Sequence, residues 1–243
     1  MLKEAIEKIL DVASPIIYEK DGHSFIVHAN GDSRELRAVM DVPATINLNS
    51  LEALVKLVKT EAAGQESPLY ITVPSCLEVR CFGQPKEDKR FLRQVYYIVN
   101  ATDVPGWDAV TKLSFDQAAV ALQTRFQDSV DRAYTLQLLS NITTGAKVTY
   151  ADNGIATSIV TSKGVSLQQN STIRPLVKLR PYRTFQEVEQ PEGMFLIRID
   201  ERGITFTEAD GGMWKLDARK TIAKYLEDNL QELVESGSVV IAL

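Results

Sequence analysis

The run MFLIRI–DERG–ITFTEA, residues 194–209, reads as two strands joined by a four-residue turn, and the fold follows from how its surroundings repeat that pattern. Upstream come KVTYA (147–151), a turn at Asp152-Asn153-Gly154, IATSIVT (155–161), Lys163-Gly164, VSLQQ (165–169) and TIRPLVKL (172–179). Apolar and polar residues alternate and the turns come at short intervals, the signature of antiparallel strands. Downstream, residues 218–234 place Ile222, Leu226, Leu230 and Leu233 at helical spacing, and SVVIAL (238–243) reads as a terminal strand.

The first half mixes both element types. Residues 2–13 predict a short amphipathic helix carrying Leu2, Ile6, Ile9, Leu10 and Ala13 on one face. IIYEK, HSFIVHA and RELRAVM follow, separated by Asp21-Gly22 and Asn30-Gly31, which predict a three-stranded meander because both turn residues need positive φ. A helix over about 50–63 carries Leu51, Leu54, Val55 and Val58, with Asn49 as its expected cap and Glu52 three residues on. LYITV, CLEVRCF and FLRQVYYIVNA are further strands, the last two joined by GQPKEDKR. The longest helical stretch, about 114–139, opens on a Ser114–Gln117 capping box and breaks at Asp128-Ser129. Strand runs and helix runs are segregated, which points to α+β with largely antiparallel sheets, three to four amphipathic helices and a β-rich C-terminal half. A boundary near Gly145 would give a mixed part, 1–145, and a β-rich part with a terminal helix, 146–243; a single domain is the other arrangement.

Composition excludes several classes. The chain has 243 residues, 44% hydrophobic and 24% charged, with a net charge of -5, which is globular rather than disordered. A chain this size buries roughly 70–75% of its unfolded surface, enough for a core without staples. No run of about 18 apolar residues exists to span a membrane, and MLKEAIEKIL lacks the apolar block of a signal peptide. Cys76 and Cys81 lie five apart in an expected strand, on opposite faces, so they do not jointly clamp zinc. His23 and His28 have the same offset, which argues against a histidine metal centre.

Charge is uneven. No acidic residue lies between Asp152 and Glu187, while Lys163, Arg174, Lys178, Arg180 and Arg183 do. Arg174, Lys178, Arg180 and Arg183 are therefore the candidate anion-binding residues; the other reading pairs the arginines with Glu187, Glu189, Glu192 and other carboxylates. Overall acidity argues against a nonspecific duplex binder. No dinucleotide or phosphate loop and no nucleophile elbow is present, and no cofactor is implied. Asp200, Glu208 and Asp210 are the one carboxylate set worth weighing for a magnesium ion.

Four stretches are distinctive: ALQTRFQD (121–128), KVTYADNG (147–154), LRPYRTFQEVEQPEGMF (179–195) and FTEADGGMWKL (206–216). Together they resemble the YfdQ-like family of phage and prophage proteins, a domain of unknown function, over roughly residues 45–235. The resemblance implies a phage accessory protein in the bacterial cytoplasm and supplies no catalytic residues. The function expected is a homo-oligomeric, non-enzymatic binder of an anionic ligand, either a nucleotide-like molecule or nucleic acid, or of a host defence protein. A metal-dependent phosphoesterase or nuclease and a shell or scaffold subunit are the alternatives.

Overall fold

The computed structural model describes residues 3–5, 16–20, 23–28, 30–36, 44–62, 64, 67–86, 92–143, 147–152, 157–163, 167–172, 174–200 and 202–243. Two compact units divide the chain, Met1–Pro43 and Ala44–Leu243. In the first, β1 (Ile16–Lys20), β2 (His23–Val27) and β3 (Ser33–Leu36) form the expected antiparallel meander. Gly31 takes φ +88° in the turn before β3, and the Asn30 amide both donates to the Asp32 carboxylate and accepts from the Asp32 backbone N–H. His28 lies just beyond β2 rather than on it. The helix expected over 2–13 is described only at 3–5, which are helical; its remainder and the Asp21-Gly22 turn lie outside the described residues.

The second unit holds the remaining sheets. A five-stranded sheet has the order β15-β5-β6-β7-β4, built from β4 (Ile46–Leu48), β5 (Leu69–Ser75), β6 (Glu78–Lys86), β7 (Leu92–Asn100) and β15 (Val239–Ala242). A four-stranded sheet has the order β12-β13-β14-β8, from β8 (Val110–Leu113), β12 (Leu176–Leu179), β13 (Gly193–Asp200) and β14 (Gly203–Glu208). The strands β9 (Lys147–Asp152), β10 (Thr157–Lys163) and β11 (Leu167–Thr172) form a third, antiparallel sheet; the turns expected at 153–154 and 164 and the boundary residue Gly145 lie outside the described residues. The expected boundary near 145 does not separate the sheets: β8 pairs with β14, and β15 pairs with β5. The architecture is α+β with largely antiparallel sheets; β15 on β5 and β4 on β7 are the parallel pairs.

Helices cover one face of each larger sheet. α1 (Leu51–Ala62) and α4 (Trp214–Asn229) pack on the five-stranded sheet, where Leu54, Val58, Ile222 and Leu226 meet Leu69, Ile71, Val73, Val79 and Val99. α2 (Phe115–Thr124) and α3 (Val130–Thr143) pack on the other, where Leu122, Phe126 and Leu139 meet Val177, Phe195, Ile197, Ile204 and Phe206. The stripe Leu51, Leu54, Val55, Val58 is buried as its spacing requires, and the Ser114–Gln117 capping box is present. The cap of α1 differs from expectation: Ser50 Oγ accepts from Ala53 N–H, and Glu187 accepts from Leu51 N–H, so Asn49 is not used. α4 begins at Trp214, four residues before its apolar period predicts, and α5 (Gln231–Glu235) follows it. Among the described residues no helix is long and apolar enough to cross a membrane.

The β13–β14 turn needs glycine. Gly203 has φ +144°, and a Cβ there would stand 2.0 Å from the Leu113 carbonyl oxygen. Strained backbone costs about 1–3 kcal/mol, and the clash with backbone adds to it. Gly203→Ala is therefore expected to lose roughly 3 kcal/mol or more in urea unfolding, whereas Gly211→Ala, with open space around it, loses only the strain of its positive φ.

Candidate functional site

Arg174, Lys178, Arg180 and Arg183 are each paired with a carboxylate. Arg174 Nη2 bonds Asp131 Oδ1 at 3.0 Å and its guanidinium stacks on Tyr134, 4.3 Å from the ring centroid. Asp131 Oδ2 also accepts the Lys178 backbone N–H at 2.7 Å, so one α3 carboxylate holds the start of β12. Lys178 Nζ lies 3.2 Å from Glu192, and Arg180 pairs with Glu189 and, at 3.7 Å, with Glu192. The two of the three glutamates weighed as partners that do pair are Glu189 and Glu192; Glu187 instead caps α1. Each of Arg174, Lys178, Arg180 and Arg183, the candidate anion-binding residues, is engaged by a carboxylate.

Arg183 is the extreme case. Its side chain is 3% exposed, and Nη1 bonds Glu208 Oε1 at 2.6 Å. Glu208 Oε2 accepts from Trp214 Nε1 at 3.2 Å, and the Trp214 ring lies under the guanidinium at 3.8 Å. Burial pushes the guanidinium down, to about 10, against the pull of Glu208, Asp210 and Cys76. It therefore stays charged at neutral pH. Nε and Nη2 have no hydrogen-bond partner among the described residues, and Nη2 faces Gly193, where a Cβ would come within 2.4 Å. Glu208, not Glu187, takes Arg183 in the interior, while Arg180 pairs at the surface with Glu189.

The magnesium reading fails on register. Asp200 faces Gly203 at the turn of the hairpin, and Glu208 faces Phe195 at its open end. Five strand positions separate them, roughly 17 Å at about 3.4 Å each. Asp200 pairs with Lys112 at 2.7 Å, Glu208 is taken by Arg183 and Trp214, and Asp210 accepts the Gly212 N–H in a turn. Among the described residues no three metal-ligating side chains group together. Cys76 sits in the β5–β6 turn rather than on a strand, with its carbonyl accepting from Thr184 Oγ1 at 2.5 Å. Cys81 is buried in the core of the five-stranded sheet.

A different cluster escaped the sequence reading. On β5, Leu69, Ile71 and Val73 point into the core, so Tyr70 and Thr72 take the opposite face. Tyr70 pairs with Phe82 and Thr72 with Arg80, which pairs with Ile98. The Tyr70 and Phe82 rings lie 6.1 Å apart and 10° from parallel. Arg93 lays its guanidinium over both, 4.5 Å from the Tyr70 centroid and 5.5 Å from that of Phe82, anchored by Nη1 on the Gly83 carbonyl. Arg80, half exposed, pairs with Glu78 on its own strand. Tyr70 and Phe82 are half-buried and belong to neither core cluster. The signal was available: LYITV alternates strictly, and an aromatic on its polar face is not a core residue.

No family model, curated protein or solved structure matches this chain.

Two outcomes test the arginine assignment and the thiols. Removing one member of a buried pair costs about 3–5 kcal/mol, and an exposed pair is worth about 0–1. Arg183→Ala is expected to lose at least about 2 kcal/mol more than Arg180→Ala in denaturant unfolding; equal losses refute the buried-pair role. Burial, helped by the charge of Glu61, pushes the Cys81 thiol up to about 12, and burial raises Cys76 as well. At pH 8 the native protein should react slowly with a thiol reagent, half-buried Cys76 before Cys81. Mass spectrometry of the alkylated peptides checks the order.

Proposed function

We propose that the chain is a non-enzymatic binding protein whose ligand is a nucleotide or a short single-stranded nucleic acid, held on the outward face of the five-stranded sheet. The observation that carries this reading is the parallel Tyr70–Phe82 ring pair under the Arg93 guanidinium. Bases stack on aromatic rings and on guanidinium planes, each worth about 1–3 kcal/mol, with little demand on sequence. Arg80 stands two register positions away on the same face, where its ion pair with Glu78 is exposed enough to exchange for a phosphate. The anionic ligand expected from the charge map is kept, and its site moves from Arg174–Arg183 to Arg80 and Arg93.

Binding rather than turnover is favoured because the residues weighed for chemistry are committed to structural contacts. Asp200 holds Lys112, Glu208 holds Arg183, and burial raises both thiols. The family resemblance supplies the setting we propose with it: a phage accessory protein acting as an oligomer in a bacterial cytoplasm, sequestering a nucleotide signal or occupying single strands. A closed second copy could pair along β15, whose outer edge carries no further strand among the described residues.

Fluorescence anisotropy with labelled oligo-dT, oligo-rU and mononucleotides tests the ligand class. Phe82→Ala and Arg93→Ala should each weaken binding by roughly 5- to 100-fold while leaving urea unfolding nearly unchanged. With about two phosphate contacts the slope of log affinity against log salt should be near -1.4. A slope several times steeper, or affinity untouched by both substitutions, refutes the stacking site.

A further inference from the structure

At the far edge of the four-stranded sheet lies a groove of about 640 Å³ between β8, the loop before it and α2. Trp107, Asp108, Thr111, Asp116, Val120 and Arg125 line it. β8 is bonded to β14 on one side and has no strand on the other among the described residues. An edge strand of this kind offers a row of backbone donors and acceptors. The side chain that could blunt it, Lys112, is drawn to Asp200 and does not line the groove. Val120, in the groove wall, stands 59% exposed.

The Trp107 ring packs edge-on against Phe126 and Phe206, at 4.7 Å and 5.8 Å between centroids, which fixes it as part of the groove wall. Its indole N–H is buried without a hydrogen-bond partner among the described residues. Asp108 and Asp116 outnumber Arg125, so the groove is net negative. Neither carboxylate side chain has a hydrogen-bond or ion-pair partner among the described residues. The occupant this combination fits is neither a nucleotide nor a phosphate.

We propose that this groove receives an extended basic peptide segment of a partner protein, which adds to β8 as a fifth strand. Main-chain pairing with β8 supplies affinity that is independent of sequence, and alternate side chains supply the choice. In such a strand every second residue turns toward the groove, so an apolar side chain meets Trp107 and Val120. Lys or Arg side chains at the rim meet Asp116 and Asp108. The segment is short, because β8 spans four residues, roughly 13 Å. The site is on a different sheet from the Tyr70–Phe82 face, so neither proposal depends on the other.

The test uses the full chain and three synthetic peptides: acetyl-KVKVKV-amide, acetyl-EVEVEV-amide and KVKVKV with alternate backbone nitrogens methylated. Binding is read by tryptophan fluorescence and by amide chemical-shift changes in β8. The basic peptide should bind saturably, with shifts centred on 110–113 and on the Trp107 indole. Asp116→Lys should weaken it by about tenfold with the thermal midpoint unchanged. The methylated peptide should lose most of its affinity. Equal binding of the acidic peptide, indifference to Asp116→Lys, or full affinity of the methylated peptide overturns the proposal. So does a concentration-dependent dimer in sedimentation that Val120→Glu dissolves, because the groove then belongs to a second copy.

Discussion

The buried ion pair of Arg183 with Glu208 is the constraint on which the second unit depends. A guanidinium 3% exposed to water must be matched by its surroundings, and here four residues from three elements do the matching. Glu208 ends β14, Trp214 opens α4, Phe195 lies on β13, and Gly193 clears space for Nη2. The indole N–H of Trp214 takes the second carboxylate oxygen, so Glu208 is satisfied on both sides. The pair thereby fixes where the four-stranded sheet ends and where the helix that covers the five-stranded sheet begins.

The same arginine anchors the segment 180–192, which runs between the two cores. Gln190, 1% exposed, accepts from the Arg183 and Thr184 N–H groups and donates to the Phe185 carbonyl. Buried backbone groups of a loop need such partners. With them satisfied, the loop can drop Phe185 and Val188 into the core of the five-stranded sheet. On its way it bonds the α2–α3 connection through Gln127 N–H to Arg180 C=O and Tyr182 N–H to Arg125 C=O, the β5–β6 turn through Thr184, and the start of α1 through Glu187. The distinctive Arg-Pro-Tyr-Arg-Thr-Phe block is a strut between the sheets.

What was legible in the sequence was local. The β13–β14 hairpin, the β2–β3 turn at Asn30-Gly31, the apolar stripe of α1 and the Ser114–Gln117 box all arise from residues a few positions apart. The features that were not legible join distant segments. The cap of α1 comes from Glu187, 136 residues away, and the parallel partner of β15 is β5. SVVIAL reads as a strand, but periodicity carries no information on which strand it pairs with. The choice of Glu208 over Asp210 is of the same kind. Both acids sit two positions apart, and only the end of β14 at Glu208 decides which one faces Arg183. The aromatic platform was hidden for another reason: tyrosine and phenylalanine in a strand read as core, and only the alternation of β5 separates Tyr70 from Leu69 and Ile71.

A cluster of cations in sequence is thus a poor guide to where charge is available. Arg183 is withdrawn into the interior, where exchanging Glu208 for an outside anion would expose a penalty of about 3–5 kcal/mol. Arg174 is tied to a carboxylate whose other oxygen holds the backbone of β12. At Arg80 the balance reverses. Its partner Glu78 lies on the same strand with both side chains in contact with water, and such a pair is worth about 0–1 kcal/mol. One phosphate hydrogen bond to a charged donor, at about 1.5–3 kcal/mol, exceeds that. Arg93 gives up even less, because its contacts are to ring faces and a carbonyl, and a ligand can add to the guanidinium without displacing either. The cations that can serve a ligand are those whose present partners are weak, and by that criterion Arg80 and Arg93 outrank the buried Arg183.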